Sequence, residues 1–215
     1  MLKLYGRRSA FNVQKVGWLI AELELAHEHI ELGGSFGGLD DPDFRARNPH
    51  GRVPLIDDDG TIVWESHTIL RYLAATRGQD MFGPDEPARR SDWERWMDWS
   101  LARLQPAFLT GVFWGFYRTP AARRDMATVN AQIDKCTEYM LLLDREIDDK
   151  AYLLGDQLSL ADIAVGVNFY RYFSIDIPRP GVPNVERWYR TLQQRPAYRD
   201  HVMLPFDELY GRLDF

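Results

Sequence analysis

The chain has 215 residues, of which 45% are hydrophobic and 27% charged, with a net charge of −6 at pH 7. That length buries a core without disulfide or metal staples, as one large domain or two small ones. The acidic balance with no basic patch argues against a nucleic-acid binder, no run reaches the length of a membrane span, and a single cysteine suits a reducing cytoplasm.

The start, "MLKLYGRRSAF", has no apolar run of the secretory type, so a soluble intracellular protein is expected. "LKLYG" (2–6) alternates apolar and polar as a short strand does. Val13, Val16, Ile20 and Leu23 then recur at helical spacing through "NVQKVGWLIAEL". "HEHIEL" (27–32) alternates again, with Ile30 and Leu32 on the expected buried side. "GGSFGGLDDPDFRARNP" carries Gly and Pro signals and reads as a loop with one helical turn. "VPLID" and "TIVW" flank the Asp-Gly of "DDDG", a strong hairpin signal. Ser66 opens the next helix, with Ile69, Leu70 and Leu73 on its apolar face. The order β-α-β-loop-β-β-α predicts a small α/β layer structure with a mixed sheet.

The period then changes. "GQDMFGPDEPARRS" (78–91) has linker composition, and no convincing strand follows it. Trp93, Met97 and Leu104 begin a helix that Pro106 is expected to bend or interrupt. Val129, Ile133, Cys136, Met140, Leu143 and Ile147 step by three and four, the longest helical stripe in the chain. Thr119-Pro120 ahead of it suits an N-cap followed by an N1 proline. In "SLADIAVGV" (159–167), Ser159 and Asp162 form a variant of the capping box. "NVERWYRTLQQRP" (184–196) is amphipathic and stops at Pro196, so the second half reads as all-helical.

"VP" before a hairpin, "ES" opening the following helix, a linker, a helical half and an "LSLADI" box together resemble the glutathione S-transferases over essentially the whole chain. The "SAFNVQKV" start and the "NPHGRVP" turn are most similar to bacterial phi-like or Nu-like members. The resemblance implies a thioredoxin-like N-terminal domain over 1–78, a linker over 79–90 and an all-helical domain over 91–215. It also implies a cytoplasmic homodimer that binds glutathione, with no metal, while charge and hydropathy argue against nucleic-acid and membrane partners.

The residues give that resemblance a physical form. Pro54 has no N–H for a ladder, and X-Pro bonds pay only about 0.5–1 kcal/mol for cis, so Val53-Pro54 can turn and leave the Val53 amide and carbonyl facing outward. A peptide-like ligand pairs with such groups as an added strand. The helix beginning near Ser66 offers N–H groups and a positive dipole end to a carboxylate, its hydroxyl adds a donor, and Glu65 pairs with an ammonium. Arg52, where similar enzymes often have Gln or Lys, is a candidate for an acidic end of the peptide. The plain alternative is that Pro54 shapes a turn and Ser66 caps a helix.

Activation of the thiol belongs at the tip of the first strand and the start of the first helix. A thiol of pKa about 8.5 is only about 3% thiolate at pH 7, so hydroxyl or amide donors there must favour the anion. In "GRRSAFNVQKV" the candidates are Asn12, which aligns with the asparagine of Nu-like members, and Ser9, one residue off the serine-type position. That position is held by Ala10, a departure from the commoner pattern, and the alternative reading is a loop serine and a cap asparagine. "FLTGVFWGFYRTP" (108–120) supplies Phe113, Trp114, Phe116 and Tyr117 for an apolar wall, with Trp114 and Tyr117 favoured, suited to a hydrophobic electrophile.

Other features take their plain reading. Cys136 sits in an apolar stripe and is expected to be buried. His27 and His29 lack further ligands for zinc, "GGSFGG" (33–38) does not match a phosphate cradle, and "DDDG" is a solvated turn. Three functions stay open at this point: conjugation of glutathione to an electrophile, glutathione-dependent reduction of peroxides or disulfides, and binding without turnover.

Overall fold

Short apolar stretches punctuated by Gly and Asp-Gly turns build the first half. The computed structural model describes residues 1–78, 82 and 86–213. The strands are β1 (Leu2–Tyr5), β2 (His27–Ile30), β3 (Leu55–Asp58) and β4 (Thr61–Trp64), in sheet order β2-β1-β3-β4. β1 runs parallel to β2 and antiparallel to β3, which pairs antiparallel with β4, the mixed sheet expected. Asp59 and Gly60, with φ of 50° and 92°, close the β3–β4 hairpin in the two-residue turn that Asp-Gly favours.

Side chains alternate across this sheet. Tyr5 and its cross-strand partner Leu55 join Phe44 in one cluster, with Ile30 and Leu32 packed against it. Phe44 comes from helix α2 (Pro42–Arg47), the helical turn expected in the 33–49 loop, capped by the Asp41 carboxylate. Leu4 and Ile56 share the opposite face, which α1 (Phe11–Glu22) and α3 (Ser66–Arg77) cover.

The chain divides into two compact units, Met1–Gly83 with Ala197–Leu204, and Pro84–Pro196 with Pro205–Phe215. The segment 197–204 therefore departs from the domain division expected from sequence. Its Tyr198 is fully buried, edge-on to Trp18 of α1 with ring centres 4.7 Å apart. The Gln14 side-chain amide donates to the Val202 carbonyl at 3.4 Å. Gly17 makes room for this segment, because a Cβ there would lie 2.7 Å from His201 Nδ1.

The second unit is helical, and among the described residues it holds no strand beyond a single bridge between Tyr152 and Gly155. Helix α4 (Pro87–Trp99) starts inside the expected 79–90 linker, of which residues 79–81 and 83–85 lie outside the described residues. Pro106 neither breaks nor ends the helical path beyond α4. From Ser100 the backbone widens to π-helical bonding, with Gln105 N–H donating to the Ser100 carbonyl, and a second such stretch runs over Pro106–Arg118. The wider turn spares the proline ring its clash with the carbonyl of the preceding α-turn.

The long helix α5 (Met126–Ile147) buries the six residues of the predicted stripe and no others. Its N-cap is Asp125, which accepts from the Ala127 and Thr128 amides, rather than Thr119. Thr119-Pro120 instead precedes a 3-10 turn, Ala121–Arg123, because the carboxylate stands next to the first free N–H groups of the long helix. Cys136 is enclosed in the stripe, and burial pushes its thiol up to about 12. Helices α6 (Leu160–Gly166), α7 (Phe169–Ser174), α8 (Pro183–Gln193) and α9 (Pro196–His201) complete the chain, the last leading into the first unit. The capping box at α6 is present as predicted. Asp162 accepts from Leu153 N and Trp188 Nε1 through one oxygen and from Ser159 N and Oγ through the other.

Candidate functional site

The Val53-Pro54 bond is cis, and Leu55 immediately after it is the last rung shared with both Tyr5 and Trp64. Val53 therefore sits just past the ladder. Among the described residues its amide and carbonyl make no hydrogen bond. The turn before it is held from behind by Asn48, the buried first residue of the "NPHGRVP" turn. The Asn48 amide donates to the Arg52 carbonyl at 2.7 Å, and its oxygen accepts from His50 N at 3.1 Å. Gly51, at φ +59°, lies so close to the Arg45 guanidinium that a Cβ would approach it to 2.6 Å. Arg52 itself is exposed.

Ser66 is the first residue of α3 and is buried, while Glu65 before it is exposed. Glu65 has φ +69°, a left-handed conformation that costs a non-glycine residue on the order of 1–3 kcal/mol and clusters at functional positions. No side chain caps this helix, so the N–H groups of its first turn remain available. Neither the Glu65 carboxylate nor the Ser66 hydroxyl bonds another described residue. The reading of Ser66 as a mere cap does not hold, since the cap position belongs to Glu65.

The tip of β1 is brought to the same place by Gly6. A Cβ at Gly6, whose φ is +140°, would stand 2.5 Å from Val13 Cγ2 and 3.0 Å from Val53 Cβ. Only glycine lets the start of α1 and the Val53 turn approach so closely. Ala10 is the N-cap of α1 and offers no side-chain bond. Asn12 is the second helical residue, half-buried, and Ser9 lies half-buried in the turn ahead of it. Asn12 is therefore not the cap of α1.

Beneath these groups lies a pair that sequence reasoning missed. Lys15 of α1 is fully buried, and its Nζ is 3.0 Å from Nε2 of the buried His67 of α3. Burial lowers the Lys15 amine to about 7, against the pull of the Glu65 charge, which raises it. Burial, with Lys15 and Arg71 nearby, drives His67 down to about 2, so its ring is neutral.

The aromatic candidates belong to the second unit. Phe113 is buried, stacked on Tyr117 at 5.2 Å and edge-on to Phe206. Trp114 is exposed, with the Arg118 guanidinium 3.7 Å above its ring. Arg118 is buried and donates to the Arg212 carbonyl at 2.9 Å, which ties the C-terminal stretch to this helix. Tyr117 is half-buried against Tyr210, and burial raises its phenol. Among the described residues no cluster of three or more His, Cys, Asp or Glu is arranged to hold a metal ion.

Comparison with known proteins identifies a family for this chain. The family model "Glutathione S-transferase, N-terminal domain" matches residues 1–75, and "Glutathione S-transferase, C-terminal domain" matches 106–196. Glutathione S-transferase GstB of Escherichia coli K12 is 42% identical over 207 residues, covering 95% of this chain and 99% of its own length. Glutathione S-transferase 3 of Zea mays is 29% identical, covering 94% and 93%. The theta class glutathione S-transferase of Xanthomonas axonopodis pv. citri, solved with glutathione bound, superposes with a TM-score of 0.88 at 39% identity, covering 95% of this chain and 98% of that one.

Proposed function

Because the chain belongs to the glutathione S-transferase family, we propose that glutathione docks along Val53 with its γ-glutamyl end on Glu65 and Ser66. The enzyme is a glutathione transferase. The observation that carries the placement is the exposed Glu65 carboxylate, held at φ +69° without a bonded partner among the described residues.

In this reading the cysteinyl backbone pairs with the Val53 amide and carbonyl as a short added strand. Pro54 fixes where that pairing begins. The glutamyl carboxylate meets the uncapped N–H groups and the hydroxyl of Ser66, and its ammonium meets Glu65. In the same reading, the exposed Arg52 is the partner of the glycyl carboxylate.

The sulfur then lies toward the start of α1, near Asn12 and Ser9. Lowering a thiol from about 8.5 by two units requires roughly 2.7 kcal/mol of preference for the anion, within reach of one or two donors at a helix N-terminus. Asn12 is the principal donor and Ser9 the second. The thiolate attacks a hydrophobic electrophile held by Trp114 and Tyr117, with Phe113 backing the Tyr117 ring. Homodimerisation, a cytoplasmic location and a role in detoxification complete the proposal.

Calorimetry with glutathione tests it. Glu65→Gln is expected to weaken binding at least tenfold, the loss of about one charge-assisted hydrogen bond, and Ser66→Ala severalfold. Unchanged affinity in both variants overturns the placement. Parallel assays with a chloronitrobenzene, an organic hydroperoxide and a small disulfide separate conjugation from reduction.

A further inference from the structure

Glycine has no side chain to limit its backbone, so a glycine that must hold one conformation needs its peptide planes fixed by others. The plane joining Gly6 to Arg7 stands just past β1, where the chain turns toward α1. Both of its ends are fixed from the β2 side. The Arg7 N–H donates to the Leu32 carbonyl at 2.8 Å. The Gly6 carbonyl accepts from Nε2 of His29 at 2.7 Å, the short end of the range for an N–H···O bond. The register pairs His29 with Leu4, on the face that α1 covers, and its ring shares the walls of a small cavity with Val13, Gln14, Gly17 and His201. A carbonyl only accepts, so the proton of the neutral ring is on Nε2 and Nδ1 is bare. Nδ1 is buried and makes no hydrogen bond among the described residues, so the bond to Gly6 is the ring's one polar task there. Burial holds His29 below the ordinary histidine range, against the pull of the Gly6 carbonyl.

We propose that His29 is a positioning residue for thiol activation: its side chain pins the Gly6–Arg7 peptide plane and so sets where Ser9 and Asn12 stand against the sulfur of glutathione. This rests on the reading that places the sulfur at the start of α1. A short relay carries the position of that plane onward. The Arg7 carbonyl accepts from Ala10 N–H at 2.9 Å, and the Ala10 carbonyl accepts from Val13 and Gln14 N–H at 2.9 and 3.0 Å. Ser9 and Asn12 project from this stretch, so a rotation of the Gly6–Arg7 plane moves the frame that holds both. Without the His29 donor the plane is held at one end only, at a residue with wide backbone freedom. The two thiol donors are then displaced rather than removed, and the effect is smaller than deleting the principal one.

Two amide variants test it. The nitrogen of His29→Gln reaches about as far as Nε2, whereas that of His29→Asn stops near the place of Nδ1, short of the Gly6 carbonyl. Both lose the imidazole packing, so damage to packing alone appears in both. Ultraviolet titration of bound glutathione is expected to show the thiol pKa raised by about half a unit in His29→Asn, about threefold less thiolate at a pH below both values. His29→Gln is expected to lie closer to the unaltered enzyme than to His29→Asn. S-methylglutathione, whose sulfur carries no proton, reports docking of the peptide alone, and its affinity is expected to change less than about twofold in either variant. The unaltered enzyme can also be read directly. The chain has five histidines, so nitrogen-15 NMR of histidine-labelled protein resolves each, with substitutions for assignment. His29 is expected to carry its proton on Nε2.

An unchanged thiol pKa in His29→Asn, an equal shift in both variants, or a His29 proton on Nδ1 overturns the proposal. So does a loss of S-methylglutathione affinity as large as the loss of thiolate, which marks a general structural role. If Asn12→Ala and Ser9→Ala both leave the thiol pKa unchanged, the placing of the sulfur at α1 falls and this proposal with it. If either raises it while His29→Asn does not, this proposal alone falls.

Discussion

Replacing Asp162 by alanine should be among the most damaging single changes in the helical unit. Asp162 is fully buried, and its two oxygens accept four hydrogen bonds of 2.7 to 2.9 Å. The partners fare differently once the carboxylate is gone. Ser159 is half-buried, so its hydroxyl rotates and its N–H reaches water. Leu153 N–H and Trp188 Nε1–H are enclosed and lose their acceptor outright. Two buried unsatisfied donors cost about 1–3 kcal/mol each, and a lost cap about 1 kcal/mol more, for roughly 3–7 kcal/mol in all.

Asp162→Asn separates the buried donors from the cap. Both enclosed donors share Oδ1, so an asparagine that keeps its oxygen there still serves Leu153 and Trp188. Its NH2 group then faces Ser159, where it can donate to the hydroxyl but opposes the backbone N–H. The expected cost is about 1–2 kcal/mol, one unsatisfied donor. For a chain of this size each kcal/mol moves the melting temperature by about 2–4 °C, so alanine should lower it by at least about 6 °C and asparagine by clearly less. Thermal and urea unfolding of both variants provide the measurement. An alanine variant within about 2 °C of the unaltered protein, less than one kcal/mol on that scale, or an asparagine variant as damaged as alanine, refutes the reasoning.

Asn12→Ala is expected to raise the pKa of bound glutathione by about one unit, about 1.4 kcal/mol of lost anion stabilisation, and Ser9→Ala by less; ultraviolet titration of the thiolate reads both. His67 is held well below its unfolded pKa of 6.5, so its contribution is present above pH 6.5 and is lost as pH falls toward about 2. Folding stability should accordingly fall as the pH drops below 6.5 on account of this residue, and His67→Asn should remove that part of the slope in urea titrations at pH 6.5 and 4.5. Gly17→Ala places a Cβ against His201 and is expected to cost about 1–3 kcal/mol by displacing the 197–204 segment, read as a lower urea midpoint.

Periodicity made the two halves legible because both are organised chiefly by burial of an apolar face. The six-residue stripe of α5 and the Asp-Gly hairpin follow from spacing and turn chemistry alone. Features that depend on distant partners were not legible. Tyr198 lies in a short segment after Pro196, and nothing local shows that Trp18 at the other end of the chain receives it. Pro106 carries a helix-breaking signal that a widened backbone ladder absorbs. The Thr119-Pro120 pair matched a cap pattern, but Asp125 stood nearer the free amides.

The candidate site divides in the same way. Glu65, Ser66 and Val53 could be singled out because their positions relative to a hairpin and a helix start are local facts. Lys15 and His67 could not, since each reads as an ordinary polar residue until α1 and α3 pack together. Asn48 opens the quoted "NPHGRVP" turn, but its role in holding the Arg52 carbonyl from behind shows only in the fold.

The central placement is tested most directly by a crystal structure of the enzyme soaked in glutathione. The cysteinyl amide and carbonyl should lie within about 2.7–3.2 Å of the Val53 carbonyl and amide, with the ligand ammonium at the same range from Glu65. A tripeptide bound elsewhere, or one whose backbone leaves Val53 unpaired, contradicts the account.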